Sequence, residues 1–270
     1  MKTLAFHASD GVRLAYCIDG PRNGKHPLLL LNGLFGDMPF WDPVVEAISS
    51  DRLCIRMDHR GIGQSERWIG NYSYELYAQD VLQLLDLLEI PKVHLIGFCH
   101  GGMVGAVLAR DFPQRLSSFT LQGARLVASE KMRLYEQLRR DVLVRDGVVA
   151  MSWMQTCQIF GERFLRENAP WLRAMAEASI KRMNVESAIP MVDALMNFDL
   201  TPQELRSMSV PALFLAGEED SYAAPWLVKR GANLWPGAQF SVLPECGHVV
   251  LRESLNLFLT LVRRFIHAHE

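Results

Sequence analysis

The sequence has few of the features that mark disulfide-rich, zinc-binding, membrane-spanning or nucleic-acid-binding proteins. Its five cysteines are scattered and form no C-x-x-C pair, so we expect neither a disulfide framework nor a zinc site. No apolar run approaches the roughly 20 residues of a membrane span. Lysine and arginine number 28 against 30 aspartate and glutamate residues, which leaves no basic excess to neutralise a phosphate backbone. We therefore expect no membrane span and no nucleic-acid partner.

Signals for export and for cofactor binding are also missing. The N-terminal stretch reaches Ser9, Asp10 and Gly11 before the apolar region of a signal peptide can form, which favours the cytoplasm. We find no glycine-rich phosphate loop and no cluster of metal ligands, so we expect no nucleotide, no other cofactor and no metal. What the chain does have is 270 residues, 49% of them hydrophobic, which is enough for the core of one large domain.

Short apolar runs alternate with helical patterns along most of the chain. Four consecutive leucines at residues 28–31 are typical of a strand buried on both faces. Further strands are predicted at residues 53–57, 93–96, 119–121, 212–215 and 240–243, and helices at residues 74–88 and 102–110. Strands that alternate with helices predict an α/β fold, with a mainly parallel central sheet and helices on both of its faces.

The strand pattern stops between residues 126 and 198, where the sequence is helical. We predict a helical cap (lid) at residues 126–198, inserted into a core formed by residues 1–125 and 199–270. Seven of the twelve methionines lie in this segment: Met132, Met151, Met154, Met175, Met183, Met191 and Met196. Flexible methionine side chains suit a pocket for an apolar acyl chain, and ordinary core packing explains them equally well. Candidate substrate-binding residues are Trp153 and Met154 in the cap, and Phe35 and Phe98 in the core.

A sharp turn is predicted directly after the strand at residues 93–96. The sequence G-F-C-H-G-G at residues 97–102 has the form of the G-x-S-x-G nucleophile turn, with Cys99 in place of serine. Such a turn holds its nucleophile at strained backbone angles, and side chains two positions away would collide, so glycine is required there. The N-terminus of the following helix favours a thiolate. Cys99 is therefore a candidate nucleophile, and a buried cysteine that only packs is the alternative.

With four further motifs in the correct order, the chain resembles the α/β-hydrolase superfamily over nearly its full length. L-N-G-L-F-G at residues 31–36 corresponds to the oxyanion loop of that superfamily. D-H-R-G-I-G-Q-S at residues 58–65 matches its D-x-R-G-x-G-x-S loop. G-E-E-D-S-Y-A-A-P at residues 217–225 matches the loop that carries the acid, and C-G-H at residues 246–248 matches the one that carries the base. The resemblance implies the α/β-hydrolase fold with a cysteine nucleophile.

The resemblance also implies a role for each site residue. Cys99 would attack a carbonyl carbon, His248 would act as the general base, and Asp220 would orient the imidazole. The backbone N–H groups of Leu34 and His100 would form the oxyanion hole. We expect a Cys–His–Asp triad that needs no cofactor.

Other residues compete for some of these roles. Glu219 and Asp199 are alternative acids, with Asp199 more typical of a structural position. The side chain of His100 is an alternative base, although the turn should direct it away from the nucleophile. Cys246 is a second thiol near the base, for which packing is the better interpretation. Asp58 and Arg60, in the loop at residues 58–65, are expected to brace it.

Two departures from the family pattern bear on the substrate: the cysteine at position 99, and Asn32 where a histidine is usual. The cysteine turn resembles that of dienelactone hydrolases and polyhydroxyalkanoate synthases. The Asn32–Gly33 pair and the loop at residues 217–225 resemble those of hydroxyacyl transferases. A thiol exchanges with a thioester at little energetic cost, which favours thioester substrates, such as acyl-CoA or acyl carrier protein, and activated lactones. A serine enzyme whose nucleophile had been exchanged for cysteine would present the same motif.

Three functions are consistent with the sequence. The leading interpretation is an acyl hydrolase acting on an ester, lactone or thioester through an acyl-cysteine intermediate. The second is an acyltransferase that passes the acyl group to an alcohol, amine or thiol. The third is a non-catalytic small-molecule binder on the same fold. Apolar cap surface could support a homodimer, although no residue pattern indicates one.

Overall fold

The computed structural model of the chain describes residues 2–179 and 183–270, and its centre is one eight-stranded sheet with the strand order β1-β2-β4-β3-β5-β6-β7-β8. The strands are β1 (Leu4–His7), β2 (Arg13–Asp19), β3 (Leu28–Leu31), β4 (Cys54–Met57), β5 (Val93–Phe98), β6 (Leu116–Gln122), β7 (Ala212–Gly217) and β8 (Gln239–Leu243). β3 to β8 pair in parallel, while β1 and β2 form an antiparallel edge. The predicted α/β-hydrolase fold with a mainly parallel sheet is confirmed.

Helices connect most of the strands. They are α1 (Asp42–Ile48), α2 (Tyr74–Leu87), α3 (His100–Asp111), α4 (Glu130–Ile159), α5 (Glu162–Ala178), α6 (Val185–Asn197), α7 (Pro202–Arg206), α8 (Pro225–Ala232), α9 (Val250–Glu253) and α10 (Leu255–His267). Two short 3-10 helices, Met38–Trp41 and Pro113–Arg115, complete the connections. Within the described parts of the chain, no helix has both the length and the apolar character needed to cross a membrane.

The leucines of β3 show how the sheet separates two cores. Successive side chains of a strand point to opposite faces. Leu29 and Leu31 therefore pack in the cluster that contains residues of α2, α3 and α8, whereas Leu28 and Leu30 pack in the cluster that contains residues of α1 and α10. Helices on both faces cover the sheet, and this explains why the whole of β3 is apolar.

The segment that we predicted as a cap contains α4, α5 and α6, which lie between β6 and β7. α4 is not a continuous rod, because Gly147 interrupts it with φ 85° and ψ −177°. A straight helix would separate Arg139 and Gln155 by about 24 Å. Instead, Nη1 of Arg139 donates a hydrogen bond to Oε1 of Gln155 at 3.3 Å. The two halves of α4 therefore fold against each other.

Candidate active site

Cys99 occupies the sharp turn between β5 and α3. Its backbone has φ 49° and ψ −110°, a conformation that is unfavourable for any residue other than glycine. Two backbone hydrogen bonds hold the turn in place: Cys99 N–H donates to the carbonyl of Gln122 at 2.8 Å, and Gly101 N–H donates to the carbonyl of Asn32 at 2.9 Å. Neighbouring strands thus maintain the strain at the candidate nucleophile.

The glycines on either side of Cys99 allow close backbone contact. A Cβ on Gly97 would overlap the carbonyl group of Gly101, and a Cβ on Gly101 would overlap the carbonyl oxygen of Leu31. Both obstacles are backbone atoms, which cannot move aside as a flexible side chain can. The glycines of the G-x-C-x-G motif are therefore required by packing.

His248 and Asp220 lie together in the loops that follow β8 and β7. Nδ1 of His248 donates to Oδ2 of Asp220 at 2.8 Å, and both side chains are buried. The other carboxylate oxygen, Oδ1, accepts hydrogen bonds from the backbone N–H groups of Tyr222 and Ala223, at 2.9 and 2.8 Å. The carbonyl of His248 accepts a bond from Nε2 of Gln122 at 2.6 Å. These bonds fix the orientation of the imidazole ring.

Burial and charge act in opposite directions on His248. Burial lowers its pKa, but the Asp220 carboxylate and the Cys99 thiolate outweigh burial, and a side-chain hydrogen bond with each of them adds to the effect. The net result raises the pKa of His248 to about 10. The site therefore favours the imidazolium form of His248.

Leu34 and His100, whose backbone N–H groups are predicted to form the oxyanion hole, both lie close to Cys99 in the structure. His100 is the first residue of α3, so its N–H belongs to those that have no acceptor within the helix. Leu34 lies in the loop after β3 and lines the same cavity as Cys99. The side chain of His100 lies elsewhere, with Nδ1 at 3.0 Å from the Tyr74 hydroxyl. Burial lowers the pKa of His100 well below its usual value, and its ring does not line the cavity.

A cavity of about 280 Å³ lies over Cys99. Among the predicted site residues it is lined by Leu34, Phe35, Phe98, Cys99 and His248. Other lining residues are Phe40, Arg139, Ser152, Gln155, Ile159, Phe160, Trp171, Met175, Met183, Tyr222 and Arg252. The lining therefore has a large apolar part and a smaller polar part, to which α4, Arg252 on α9 and Asp37 in the loop after β3 all contribute.

The prediction that Trp153 and Met154 contact the substrate is wrong for this cavity, because neither residue lines it. Each residue of an α-helix is rotated by about 100° from the one before, and on α4 it is Ser152 and Gln155 that face the cavity. Trp153 is 42% exposed, and the guanidinium of Arg173 lies 5.2 Å from its ring centre.

The methionines of the helical segment lie in two different environments. Met175 and Met183 line the cavity. Met132, Met151 and Met191 are buried in the main hydrophobic core instead. Core packing therefore explains three of these methionines, and binding of an acyl chain by Met175 and Met183 stays a prediction.

The alternative acids have partners of their own. Asp199 accepts hydrogen bonds from the N–H of Ala128 at 2.9 Å and from Arg133 at 2.8 Å, and Glu219 accepts one from the N–H of Glu162 at 2.6 Å. Neither of these carboxylates bonds to His248 among the described residues. Burial raises the pKa of Cys246 to about 11, so this second thiol is held in its protonated form.

The loop at residues 58–65 has a structural role. Asp58 accepts hydrogen bonds from the N–H groups of Met38 and Gln64, at 2.7 and 2.8 Å. Arg60 forms a bidentate ion pair with buried Asp80, at 2.7 and 2.6 Å. No group of three or more metal-ligating side chains is arranged to hold a metal ion within residues 2–179 and 183–270.

Sequence reasoning missed a buried polar cluster beside the cavity. Glu136 and Arg139 on α4 are 0% and 3% exposed, and Oε2 of Glu136 lies 3.3 Å from Nε of Arg139. The hydroxyl of Tyr222 donates to Oε1 of Glu136 at 2.6 Å, and the ring of Tyr222 lies 4.9 Å from that of His248. A Glu-x-x-Arg pair is common on exposed helices, so its sequence carries no sign of burial.

Comparisons with known proteins agree with the fold. Residues 26–254 match the family model of the alpha/beta hydrolase fold. The crystal structure of an enol-lactonase from Burkholderia xenovorans LB400 is similar with a TM-score of 0.88 and 27% identity, covering 98% of this chain and 100% of that one. A hydrolase from Pseudomonas aeruginosa PA01 has a TM-score of 0.87 and 27% identity, covering 98% of both chains. A protein assigned as carbamate hydrolase RutD in Azorhizobium caulinodans is 25% identical over 240 residues, which are 88% of this chain and 90% of the relative. The chain therefore belongs to the α/β-hydrolase fold family and is a hydrolase of that fold.

Proposed function

We propose that the protein cleaves an ester, lactone or thioester by transferring the acyl group to Cys99 and then to water. The arrangement of Cys99, His248 and Asp220 carries this proposal. The thiol stands on a strained turn at the cavity, His248 lines the same cavity, and its imidazole is held by a buried carboxylate at 2.8 Å. A nucleophile, a base and an orienting acid are what covalent acyl transfer requires.

In the first half of the reaction, the Cys99 thiolate attacks the carbonyl carbon and a C–S bond forms. The carbonyl electron pair moves to oxygen, where the N–H groups of His100 and Leu34 stabilise the negative charge. When the carbonyl re-forms, the bond to the leaving alkoxide or thiolate breaks. The imidazolium of His248 gives its proton to that leaving group, so His248 becomes neutral and Cys99 carries a thioester.

The second half returns the enzyme to its starting state. Neutral His248 takes a proton from water as the water oxygen attacks the thioester carbon. The C–S bond breaks, the acid product leaves, and the thiolate–imidazolium pair is restored. Asp220 stabilises the imidazolium in both halves without itself taking up the proton.

The cavity supports a compact acyl group. Its volume of about 280 Å³ is at the lower end of the range for small-molecule sites. A lactone fits this volume better than a long acyl chain, and one structure similar to this chain is an enol-lactonase. Lactones and esters with good leaving groups also suit a thiol nucleophile, because attack on them forms a thioester at less cost than attack on a simple alkyl ester does.

Intact-protein mass spectrometry tests the covalent step. The protein is mixed with short acyl thioesters, aryl esters and lactones, together with the variants Cys99→Ala and Cys246→Ala. We expect one acyl adduct on the unaltered protein and on Cys246→Ala, the matched control for a nearby buried thiol, and none on Cys99→Ala. Fast turnover to free acid indicates a hydrolase, whereas an adduct that persists until an alcohol, amine or thiol is added indicates a transferase. Unchanged turnover by Cys99→Ala would refute the proposal.

A further inference from the structure

Arg139 reaches the cavity from α4 with hydrogen-bond donors to spare. Its side chain is 3% exposed, and Nη1 makes only long contacts, at 3.3 Å to Oε1 of Gln155 and 3.5 Å to the hydroxyl of Tyr222. Nη2 has no hydrogen-bond partner among the residues that the structure describes. A buried guanidinium that is not fully hydrogen-bonded is energetically unfavourable, so it is expected to have a further partner.

Glu136 explains how the guanidinium is oriented but does not satisfy it. The Glu136 carboxylate lies at the Nε side of Arg139, at 3.3 Å, and it does not line the cavity. Its other oxygen is engaged by the hydroxyl of Tyr222 at 2.6 Å. The side of the guanidinium that carries Nη1 and Nη2 is therefore the side available to a molecule in the cavity.

Arg139 lies close to the residues that surround the proposed reacting atoms. Its guanidinium carbon lies 5.6 Å from the ring centre of Phe35, next to Leu34 of the oxyanion loop, and 6.0 Å from the ring centre of Tyr222. The ring of Tyr222 is in turn 4.9 Å from that of His248. A group bound to Arg139 is thus separated from the scissile carbonyl by a short spacer of a few atoms.

We propose that Arg139 binds a carboxylate on the acyl part of the substrate, so that the enzyme prefers esters or lactones derived from short dicarboxylic acids. The two Nη groups of a guanidinium match the two oxygens of a carboxylate in distance and in plane. The cavity of about 280 Å³ leaves room for a compact diacid, and the burial of Arg139 keeps it from charges that stay outside. This inference rests on the proposed function of Cys99 and His248.

A pair of substrates that differ in one group tests the inference. The phenyl thioester of a short dicarboxylic acid is compared with the same thioester whose free carboxylate is replaced by a carboxamide. We expect Arg139→Gln to lower kcat/KM for the carboxylate substrate by about 100-fold, mainly through KM, because a charge-assisted pair is lost. The carboxamide substrate should change by about threefold or less, since it lacks the charge.

Arg140→Gln is the matched control. Arg140 is the next residue of α4, does not line the cavity, and forms an ion pair with Asp193. We expect Arg140→Gln to leave kcat/KM for both substrates unchanged. Equal losses for the two substrates in Arg139→Gln would show that Arg139 only packs α4. Equal rates for the two substrates in the unaltered enzyme would show that Arg139 does not distinguish a carboxylate from a neutral amide oxygen. Either result overturns the inference.

Binding without chemistry separates this inference from the proposed function. In a Cys99→Ala protein, a short dicarboxylate should bind with a heat that calorimetry detects, and the added Arg139→Gln change should abolish it. Binding of the dicarboxylate, with neither an acyl adduct nor turnover by the unaltered protein, would contradict the proposed function alone. An adduct on Cys99, with dicarboxylate binding that is unchanged by Arg139→Gln, would contradict the role of Arg139 alone. Circular dichroism establishes that each variant is folded.

Discussion

At the scale of single residues, the position of the proposed nucleophile depends on glycines that supply no functional group. Cys99 takes up its left-handed backbone because the turn around it is compact, and the turn is compact because Gly97 and Gly101 approach neighbouring carbonyl groups. The strain at Cys99 is thus balanced by hydrogen bonds and packing in the surrounding turn. Changes at the glycines should therefore affect the thiol without touching it.

Gly101→Ala tests this dependence. The added methyl would overlap the carbonyl oxygen of Leu31 and lie 2.7 Å from that of Asn32, so the backbone must move. We expect the free energy of unfolding to fall by about 3 kcal/mol, and acylation of Cys99 to slow because the turn is displaced. Urea denaturation and the rate of adduct formation measure the two effects.

A second helical glycine provides the control. At Gly231, in α8, an added Cβ would meet its nearest neighbours, in Leu126 and Phe214, at an ordinary 3.6 Å. We expect Gly231→Ala to raise the free energy of unfolding by up to about 1 kcal/mol, since alanine favours a helix over glycine. Similar losses in both variants would contradict the argument from close approach.

The local sequence was enough to place Cys99 and His248 at one cavity, but not Arg139. The two former residues stand in short motifs whose glycines have a local physical cause, so their surroundings can be predicted from a few neighbours. The burial of Arg139 depends on contact with Tyr222, which is 83 residues away in the chain. The pattern around Arg139 is that of a solvent-exposed ion pair on a helix, and only the tertiary structure distinguishes the two cases.

At the scale of secondary-structure elements, the interruption in α4 brings two sets of residues to the same cavity. Arg139 comes before Gly147, Ser152 and Gln155 come after it, and all three line the cavity. With φ 85° and ψ −177°, Gly147 lies in a region of backbone space that is almost exclusive to glycine. Among the described residues, no atom outside its immediate neighbours would touch a Cβ there, so conformation rather than crowding makes glycine necessary at this position.

Gly147→Ala should therefore destabilise the protein by about 2 kcal/mol through backbone strain. The hydrogen bond between Arg139 and Gln155 should weaken as well, because the two halves of α4 can no longer fold against each other without strain. Chemical denaturation measures the first effect, and affinity for a short dicarboxylate measures the second. Asp146→Ala is the control, since this residue is helical and its side chain is 41% exposed, and it should change stability by less than about 0.5 kcal/mol. An equally stable Gly147→Ala protein would contradict the assigned role of the kink.

The strands show what a sequence pattern can and cannot predict at this scale. The parallel strands β3 to β7 are buried, so their apolar runs stand out. We did not predict β1 and β2, which form the antiparallel edge of the sheet. β1 has only four residues, half-buried and exposed in alternation, and its stability comes from pairing with β2 and not from an apolar run. The parallel part of the sheet could thus be predicted, whereas its antiparallel edge could not.

At the scale of the whole molecule, three buried histidines make stability depend on pH. Burial lowers the pKa of His59 and of His94 from 6.5 to about 4, and lowers that of His100 well below 6.5. In the unfolded chain these side chains bind protons below about pH 6.5, while in the folded protein they stay neutral until the pH is near 4 or lower. Stability should consequently be lost as the pH falls through this interval.

His94→Gln isolates one of these contributions. His94 is 0% exposed, on β5, with Nδ1 at 2.8 Å from the hydroxyl of Ser118. The unaltered protein loses stability as the pH falls because His94 must stay neutral in the folded state, and the variant lacks this loss. The difference in unfolding free energy between the two proteins should therefore shift by about 3 kcal/mol in favour of the variant between pH 6.5 and pH 4. Urea denaturation across this range measures it. For the control variant at the exposed His267, His267→Gln, the difference should stay constant, and a constant difference for His94→Gln would contradict the prediction.

The residues proposed to break the bond and the residue proposed to recognise the substrate lie in different segments of the chain. Cys99, Asp220 and His248 follow strands β5, β7 and β8, whereas Arg139 belongs to the helices between β6 and β7. In evolution, these helices can be exchanged or rewritten while the strand ends are inherited unchanged. Descendants of one ancestor would then share a way of breaking bonds and differ in the molecules they accept, and a library that varies only residues 130–197 would explore new substrates on a constant chemistry.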